Sequence, residues 1–262
     1  MNNTPLKRFG QNYLVDKNTV DKIINHFNPQ NDDTIIEIGP GRGALTEQLI
    51  EKCNNVTAIE IDTRVVNDLK TRFPSLKLQN SDFLKCDFKT LFQGKKDLRI
   101  IGNIPYNITT DIIYKLIDNR SMLSDAILMV QYEMAQRMLS KKGTKEYGIL
   151  SVILNAFAHV NLCFKISPNV FYPKPHVYSA IVHLNFKKEF PGNINPDIFI
   201  AVVKAAFCNR RKTLKNSFKN SIFALCDFED RDGILSKRAE QLSIENFYAL
   251  SRKLEGCIDG RE

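Results

Sequence analysis

The sequence predicts an α/β protein in which a mostly parallel sheet carries helices on both faces and an antiparallel edge, with a smaller helical domain at the C-terminal end. Two observations predict it. Between residues 34 and 131 short β-rich runs alternate with segments of helical periodicity, the pattern of parallel strands joined by helical crossovers. Beyond about residue 187 the strand-like runs stop, and helical periodicity continues to about residue 256.

Each element has its own warrant. Val20, Ile23, Ile24 and Phe27 recur at i, i+3, i+4 and i+7, which makes 16–27 an amphipathic helix ahead of the first strand. The expected strands are TIIEIG (34–39), VTAIEID (56–62), LKLQNSD (76–82), LRIIGN (98–103) and DAILMVQ (125–131), with helical segments at 45–53, 64–73 and 111–118. Two further runs, HVNLCFKI (159–166) and YSAIVHLNF (178–186), are joined by SPNVFYPKPHV with no helix between them. They should pair antiparallel at one sheet edge. The stretch KKEFPGN (187–193) is taken as the boundary between a domain of 1–190 and one of 191–262. Composition alone makes the first residues a loose tail.

The balance of 37 Lys+Arg against 29 Asp+Glu and a pI near 9.1 favour a polyanionic partner. The six cysteines show no C-x-x-C pair and no His at metal-ligand spacing, so they read as reduced thiols and no metal is expected. The N-terminal stretch has no apolar signal region, and no run approaches the ~18 apolar residues of a membrane span. A cytoplasmic protein is expected.

The chemistry-bearing residues fall at strand ends. EIGPGRGALT places Gly39, Gly41 and Gly43 in a turn that opens a helix, where backbone can approach a ligand closely. Glu60 closes the second strand about twenty residues on, where a carboxylate can accept from both hydroxyls of a ribose. Asp82 closes the third, where it could accept from an adenine amine, with Phe83 packed on the ring. Either acid alone would read as a solvated strand end; several strand ends around one crevice make a ligand the better reading. The G-x-G-x-G spacing is not that of dinucleotide enzymes, so an adenosyl cofactor ending in an amino acid fits better than a nicotinamide. Glu37 would stabilise the cofactor end or hold the glycine turn.

The fourth strand ends on Asn103-Ile104-Pro105-Tyr106. An adenine N6 amine is a poor nucleophile because its lone pair is delocalised into the ring, and acceptors at both N–H groups favour the pyramidal form. Asn103 offers a side-chain oxygen. Ile104 precedes a proline, which pushes its backbone toward an extended form that can aim its carbonyl at the pocket. Tyr106 can stack on a base taken out of its own strand. The matching electrophile is the methyl of S-adenosyl-L-methionine.

These residues resemble the ribosomal RNA adenine dimethyltransferases, most closely their small-subunit branch. The resemblance rests on KRFGQNYL (7–14), EIGPGRGALT (37–46), AIEID (58–62), SDFL (81–84), GNIPYNI (102–108), VFYPKPHVYSA (170–180) and FCNRRKTLKNS (207–217). It implies a Rossmann-like class I methyltransferase sheet and a cofactor set of Gln11, Asn12, Leu14, Gly39, Gly41, Glu60, Ile61, Asp82, Phe83 and Asn103. It also implies that Phe171 stacks on the flipped adenine opposite Tyr106. Departures from the family pattern are Tyr13 where Phe is usual, His176 and Tyr178 beside the proline loop, and Lys215 in a place often held by Arg.

The partner implied is small-subunit rRNA within an immature ribosomal subunit, met by a monomer. Arg210, Arg211, Lys212, Lys215 and Lys219 are the expected phosphate contacts. If that stretch is helical, Lys212, Lys215 and Lys219 share one face, and Leu214, Phe218 and Ile222 another. Arg137, Lys141, Lys142 and Lys145 form a second candidate. The competing readings are a large-subunit rRNA methyltransferase of the macrolide-resistance type, an assembly factor in which binding outweighs catalysis, and more distantly a nicotinamide-dependent oxidoreductase.

Overall fold

In the computed structural model of the protein, residues 4–6, 9–186, 190–226, 230 and 232–259 are described, with side chains through 255. The short strand β1 (Tyr13–Leu14) precedes α1 (Lys17–Phe27), whose first turn is capped by Asp16 accepting from the Thr19 N–H. Strands β2 (Thr34–Ile38), β3 (Asn55–Glu60), β4 (Lys77–Asn80), β5 (Leu98–Asn103) and β6 (Leu123–Gln131) alternate with α2 (Ala44–Lys52), α3 (Thr63–Arg72), α4 (Phe88–Leu91) and α5 (Thr109–Asp118). There follow α6 (Tyr132–Met138), α7 (Ile149–Phe157), β7 (Ala158–Ile166), β8 (Phe171–Tyr172), β9 (Ser179–Phe186), α8 (Pro196–Phe207), α9 (Leu214–Phe218) and α10 (Ile244–Asp259).

The main sheet has the order β4-β3-β2-β5-β6-β9-β7. The first five strands run parallel, and β9 pairs antiparallel with β6. Val20, Ile23, Ile24 and Phe27 of α1 and Leu45 and Leu49 of α2 pack with Ile35, Ile101, Ile127 and Ile181 of the sheet. Ile36, Ile100, Ala126 and Leu128, one position along, project to the opposite face and are equally buried. The sheet is therefore covered on both sides, which is why its strands read as continuous apolar runs.

The chain divides into two compact units, 1–135 with 159–186, and 136–158 with 187–262. The single boundary expected at 190/191 is corrected by the segment 136–158. Its helix α7 is apolar on nearly every side and packs on α8 and α10, with Phe157 against Phe190 and Phe199. Three further expectations change. The basic stretch after α8 holds only the short α9, so Leu214 and Phe218 are buried but Ile222 is exposed. Cys53, Cys86, Cys163 and Cys208 are free thiols, whereas Cys226 is disulfide-bonded, because spacing along the chain says nothing of pairing through space. The N-terminal segment is no loose tail, since β1 pairs antiparallel with β8. Lys7, Arg8, the boundary residues 187–189 and the side chain of Cys257 lie outside what is described. Among the described residues no helix is long and apolar enough to cross a membrane, and no group of three or more His, Cys, Asp or Glu could hold a metal ion.

Candidate active site

The strand order reverses direction at β2, whose neighbours are β3 and β5, and a crevice forms beyond the carboxyl ends of such strands. A cleft of about 360 Å³ opens there. It is lined by residues following β2, β3, β4 and β5 and by the segment from Phe9 to Leu14.

Two glycines make the close approach possible. Gly102 of β5 faces Ile38 of β2, and a Cβ on it would lie 2.7 Å from the Ile38 carbonyl oxygen, so only glycine lets the two strand ends meet. Gly41 has φ +53°, and a Cβ there would sit 2.9 Å from the ring of Tyr13.

Three acids stand around the turn. Glu37 is 1% exposed, and its Oε2 accepts from Thr46 Oγ1 at 2.7 Å. Burial pushes its pKa up to about 7, the Thr46 hydrogen bond opposing and the Glu60 charge adding. Glu60 is also buried, and its Oε1 accepts from the Asp62 N–H at 2.9 Å and its Oε2 from the Gly41 N–H at 3.4 Å. Burial raises its pKa against the pull of those N–H groups. Asp82 accepts from the Leu84 N–H at 2.9 Å, capping a single 3₁₀ turn, and Phe83 packs edge-on to Phe88. Among the described residues Glu60 has no cationic side-chain partner in its hydrogen bonds; its oxygens accept backbone N–H groups and keep acceptor capacity to spare.

The amide of Asn103 is oriented by the N-terminal segment. Its Nδ2 donates to the Asn12 carbonyl at 2.7 Å, and since only the NH₂ can donate, the oxygen Oδ1 is left as an acceptor. Ile104 is buried beside it. Tyr106 lies half-buried with its hydroxyl 2.6 Å from Ser179 Oγ, which fixes the ring at the cleft wall.

Most of the residues expected at a cofactor or catalytic site line this cleft: Gln11, Asn12, Leu14, Glu37, Gly39, Gly41, Glu60, Ile61, Asp82, Phe83, Asn103, Ile104 and Tyr106. Phe171 does not. It was expected opposite Tyr106, but its β8 register places it across from Leu14, and it is 4% exposed in the apolar core while its neighbour Tyr172 is 55% exposed. Gln11 lines the cleft and is itself held, its Oε1 accepting from the Leu6 N–H and its Nε2 donating to Asp62. Asp62 in turn binds Arg64 and caps α3, so Gln11 ties the N-terminal segment to the β3 end.

Sequence reasoning missed Arg42 and Tyr13. The Arg42 guanidinium lies 4.8 Å from the Tyr13 ring centroid, and the Tyr13 hydroxyl is buried without a hydrogen-bond partner. The arginine inside the glycine turn was the available signal. In the second unit Arg211, Lys212, Lys215 and Lys219 are exposed. Arg210 is exposed as well, and its Nη2 donates to the carbonyls of Lys145 and Tyr147.

The donor and acceptor set fits an adenosyl ligand with an amino-acid tail: close-approach glycines, a buried carboxylate at a strand end, and an oriented amide. The family model described as "Ribosomal RNA adenine dimethylase" matches residues 2–254. The "Ribosomal RNA small subunit methyltransferase A" of Chlorobium chlorochromatii is 41% identical over 93% of this chain and 91% of its own. A crystal structure of a dimethyladenosine transferase from Plasmodium falciparum superposes with a TM-score of 0.79 at 27% identity, covering 94% of this chain and 97% of that one. The 23S rRNA methyltransferase ErmE has the same fold, with a TM-score of 0.67 at 24% identity over 93% of this chain and all of its own.

Proposed function

The chain belongs to the ribosomal RNA adenine dimethylase family, and on that premise we propose that it dimethylates N6 of two adjacent adenosines in the 3′-terminal hairpin of small-subunit rRNA. The setting is the cytoplasm, on an immature subunit, as part of ribosome biogenesis. S-adenosyl-L-methionine supplies a methyl group already activated on a sulfonium. Everything else falls to the chain's own residues.

Glu60 and Asp82 hold the adenosyl portion by its ribose hydroxyls and amine, with Gly39 and Gly41 giving it room and Ile61 and Phe83 packing on it. Gln11, Asn12 and Leu14 close the cleft from the N-terminal side. Asn103 Oδ1 and the Ile104 carbonyl accept from the target amine, favouring its pyramidal form and sharing the positive charge that develops on it. Tyr106 stacks on the extracted base. The exposed Arg211, Lys212, Lys215 and Lys219 contact phosphates.

The observation that carries the reading is the Asn103 amide, held by the Asn12 carbonyl so that its oxygen is the free end. That orientation is the one an acceptor for an N–H requires. The test is methyl transfer to undermethylated small subunits beside a sedimentation assay of binding. Asn103→Ala should lower turnover on the order of 10²–10³, by analogy with the loss of one preorganised hydrogen-bonding group, and leave subunit binding intact. Turnover at the parent rate would reduce Asn-Ile-Pro-Tyr to a turn. If turnover collapses while cells carrying the variant assemble subunits normally, the chain is also an assembly factor, and that role does not need the chemistry.

A further inference from the structure

Outside the cleft, the first unit carries a surface cluster of one exposed cation, one exposed tyrosine and one half-buried tyrosine. The Lys165 ammonium lies 4.0 Å from the ring centroid of Tyr178 and 4.3 Å from that of Tyr132. Tyr178 is 49% exposed and Lys165 is exposed. The cluster is built in rather than incidental. Lys165 stands on β7, the last strand of the sheet order, and the Tyr132 N–H donates to the Tyr178 carbonyl at 2.9 Å, which holds the two tyrosines together. Beside Tyr178 lies a shallow depression whose lining includes Ser167, Asn169, Lys174, Pro175 and His176 and, among the described residues, no acid.

Its connection to the catalytic cleft is one residue long. Tyr178 is followed by Ser179, whose hydroxyl is the partner of Tyr106. Tyr178 thus adjoins, along the chain, the residue that anchors Tyr106 at the cleft wall.

We propose that Tyr178, with Lys165 pinned between it and Tyr132, is a stacking and phosphate site for an unpaired nucleotide neighbouring the target adenosine. The proposal rests on RNA being the substrate. An aromatic face accepts any base, and a lysine already held by two rings has less freedom left to lose when it meets a phosphate. The occupant is single-stranded RNA rather than a protein segment because the surface joins basic groups and open aromatic rings and runs on from the base-binding wall.

The test uses the full chain, a short labelled single-stranded RNA, and undermethylated small subunits. Tyr178→Ala should bind the oligonucleotide about tenfold more weakly. It should raise KM for subunits while keeping kcat and the affinity for S-adenosyl-L-methionine. Tyr178→Phe should behave as the parent, since the ring is what stacks. Lys165→Gln should flatten the plot of log affinity against log salt by about 0.7, one single-strand phosphate contact. Parent-like RNA binding by Tyr178→Ala, with the parent active, would overturn this site alone. Loss by Tyr178→Phe equal to that by Tyr178→Ala would overturn stacking in favour of the hydroxyl. A parent that neither binds RNA nor methylates it would overturn the site together with the reading beneath it.

Discussion

The two ends of the parallel sheet treat buried charge in opposite ways. At the amino ends, Arg99 of β5 pairs with Asp33 at 2.7 Å and with Asp125 of β6 at 2.8 Å, and donates to the Phe27 and Asn28 carbonyls. His183 Nε2 lies 2.8 Å from the other oxygen of Asp125. Burial alone would raise the Asp125 pKa, but these hydrogen bonds and charges hold it below the usual range. At the carboxyl ends, Glu37 and Glu60 are as deeply buried but, among the described residues, have no cationic partner in their hydrogen bonds, and both pKa values are raised. A charge kept for the fold is paired, because an unpaired buried charge is costly. A charge kept for a ligand leaves capacity for that ligand to use, which marks perturbed acids in a cleft as site candidates.

The largest expected effect breaks the paired end. Asp125→Ala strips Arg99 of one buried partner and should cost about 3 kcal/mol of stability. Denaturant unfolding should show it, while affinity for S-adenosyl-L-methionine, measured where both forms are folded, stays at the parent value. A loss of affinity without loss of stability would erase the distinction between the two ends.

The next effect is a pH slope of opposite sign at the two ends. The folded-state pKa of Glu37, about 7, lies above its ordinary value of 4.5, so the folded protein binds the extra proton. Its contribution to stability is complete below pH 4.5 and is lost as pH rises through about 7, with a slope of at most about 1.4 kcal/mol per pH unit. Asp125, with its pKa lowered, contributes stability above the ordinary carboxylate range and loses it on acidification. Subtracting the stability profile of Glu37→Gln from that of the parent should isolate the first slope, and a flat difference between pH 5 and 8 would contradict it.

The smallest concerns Tyr13, whose buried hydroxyl lacks a partner. Tyr13→Phe should stabilise the protein by about 1 kcal/mol, the lower end of the cost of an unsatisfied polar group. A lower melting temperature in calorimetry would mean that the hydroxyl is satisfied after all.

What was legible in the sequence follows from how locally each feature is encoded. Strands β2, β3, β5 and β6 announce themselves because burial on both faces requires runs of branched apolar residues, and the acids that close them stand out against those runs. The glycine turn is visible because positive φ at Gly39, Gly41 and Gly43 selects glycine. The β1–β8 pair is invisible, since two residues per strand give no period and their pairing spans the whole first unit. Helix α7 is hidden for the reverse reason, as a helix buried nearly all round has no polar face to set a period. The Arg210 brace, the Gln11 tie and the burial of Phe171 are tertiary facts that residue type does not predict.

The account depends most on the claim that Glu60, which has no cationic hydrogen-bond partner among the described residues, is kept for a ligand to use. Calorimetric titration of Glu60→Gln with S-adenosyl-L-methionine, run beside thermal unfolding of the free protein, addresses that claim directly. Hydrogen bonds to a charged group contribute roughly 1.5–3 kcal/mol, so affinity should fall about tenfold or more, with a change in stability smaller than that of Asp125→Ala. Unchanged affinity joined to a large loss of stability would show that Glu60 serves the fold, as Asp125 does, and would contradict the account.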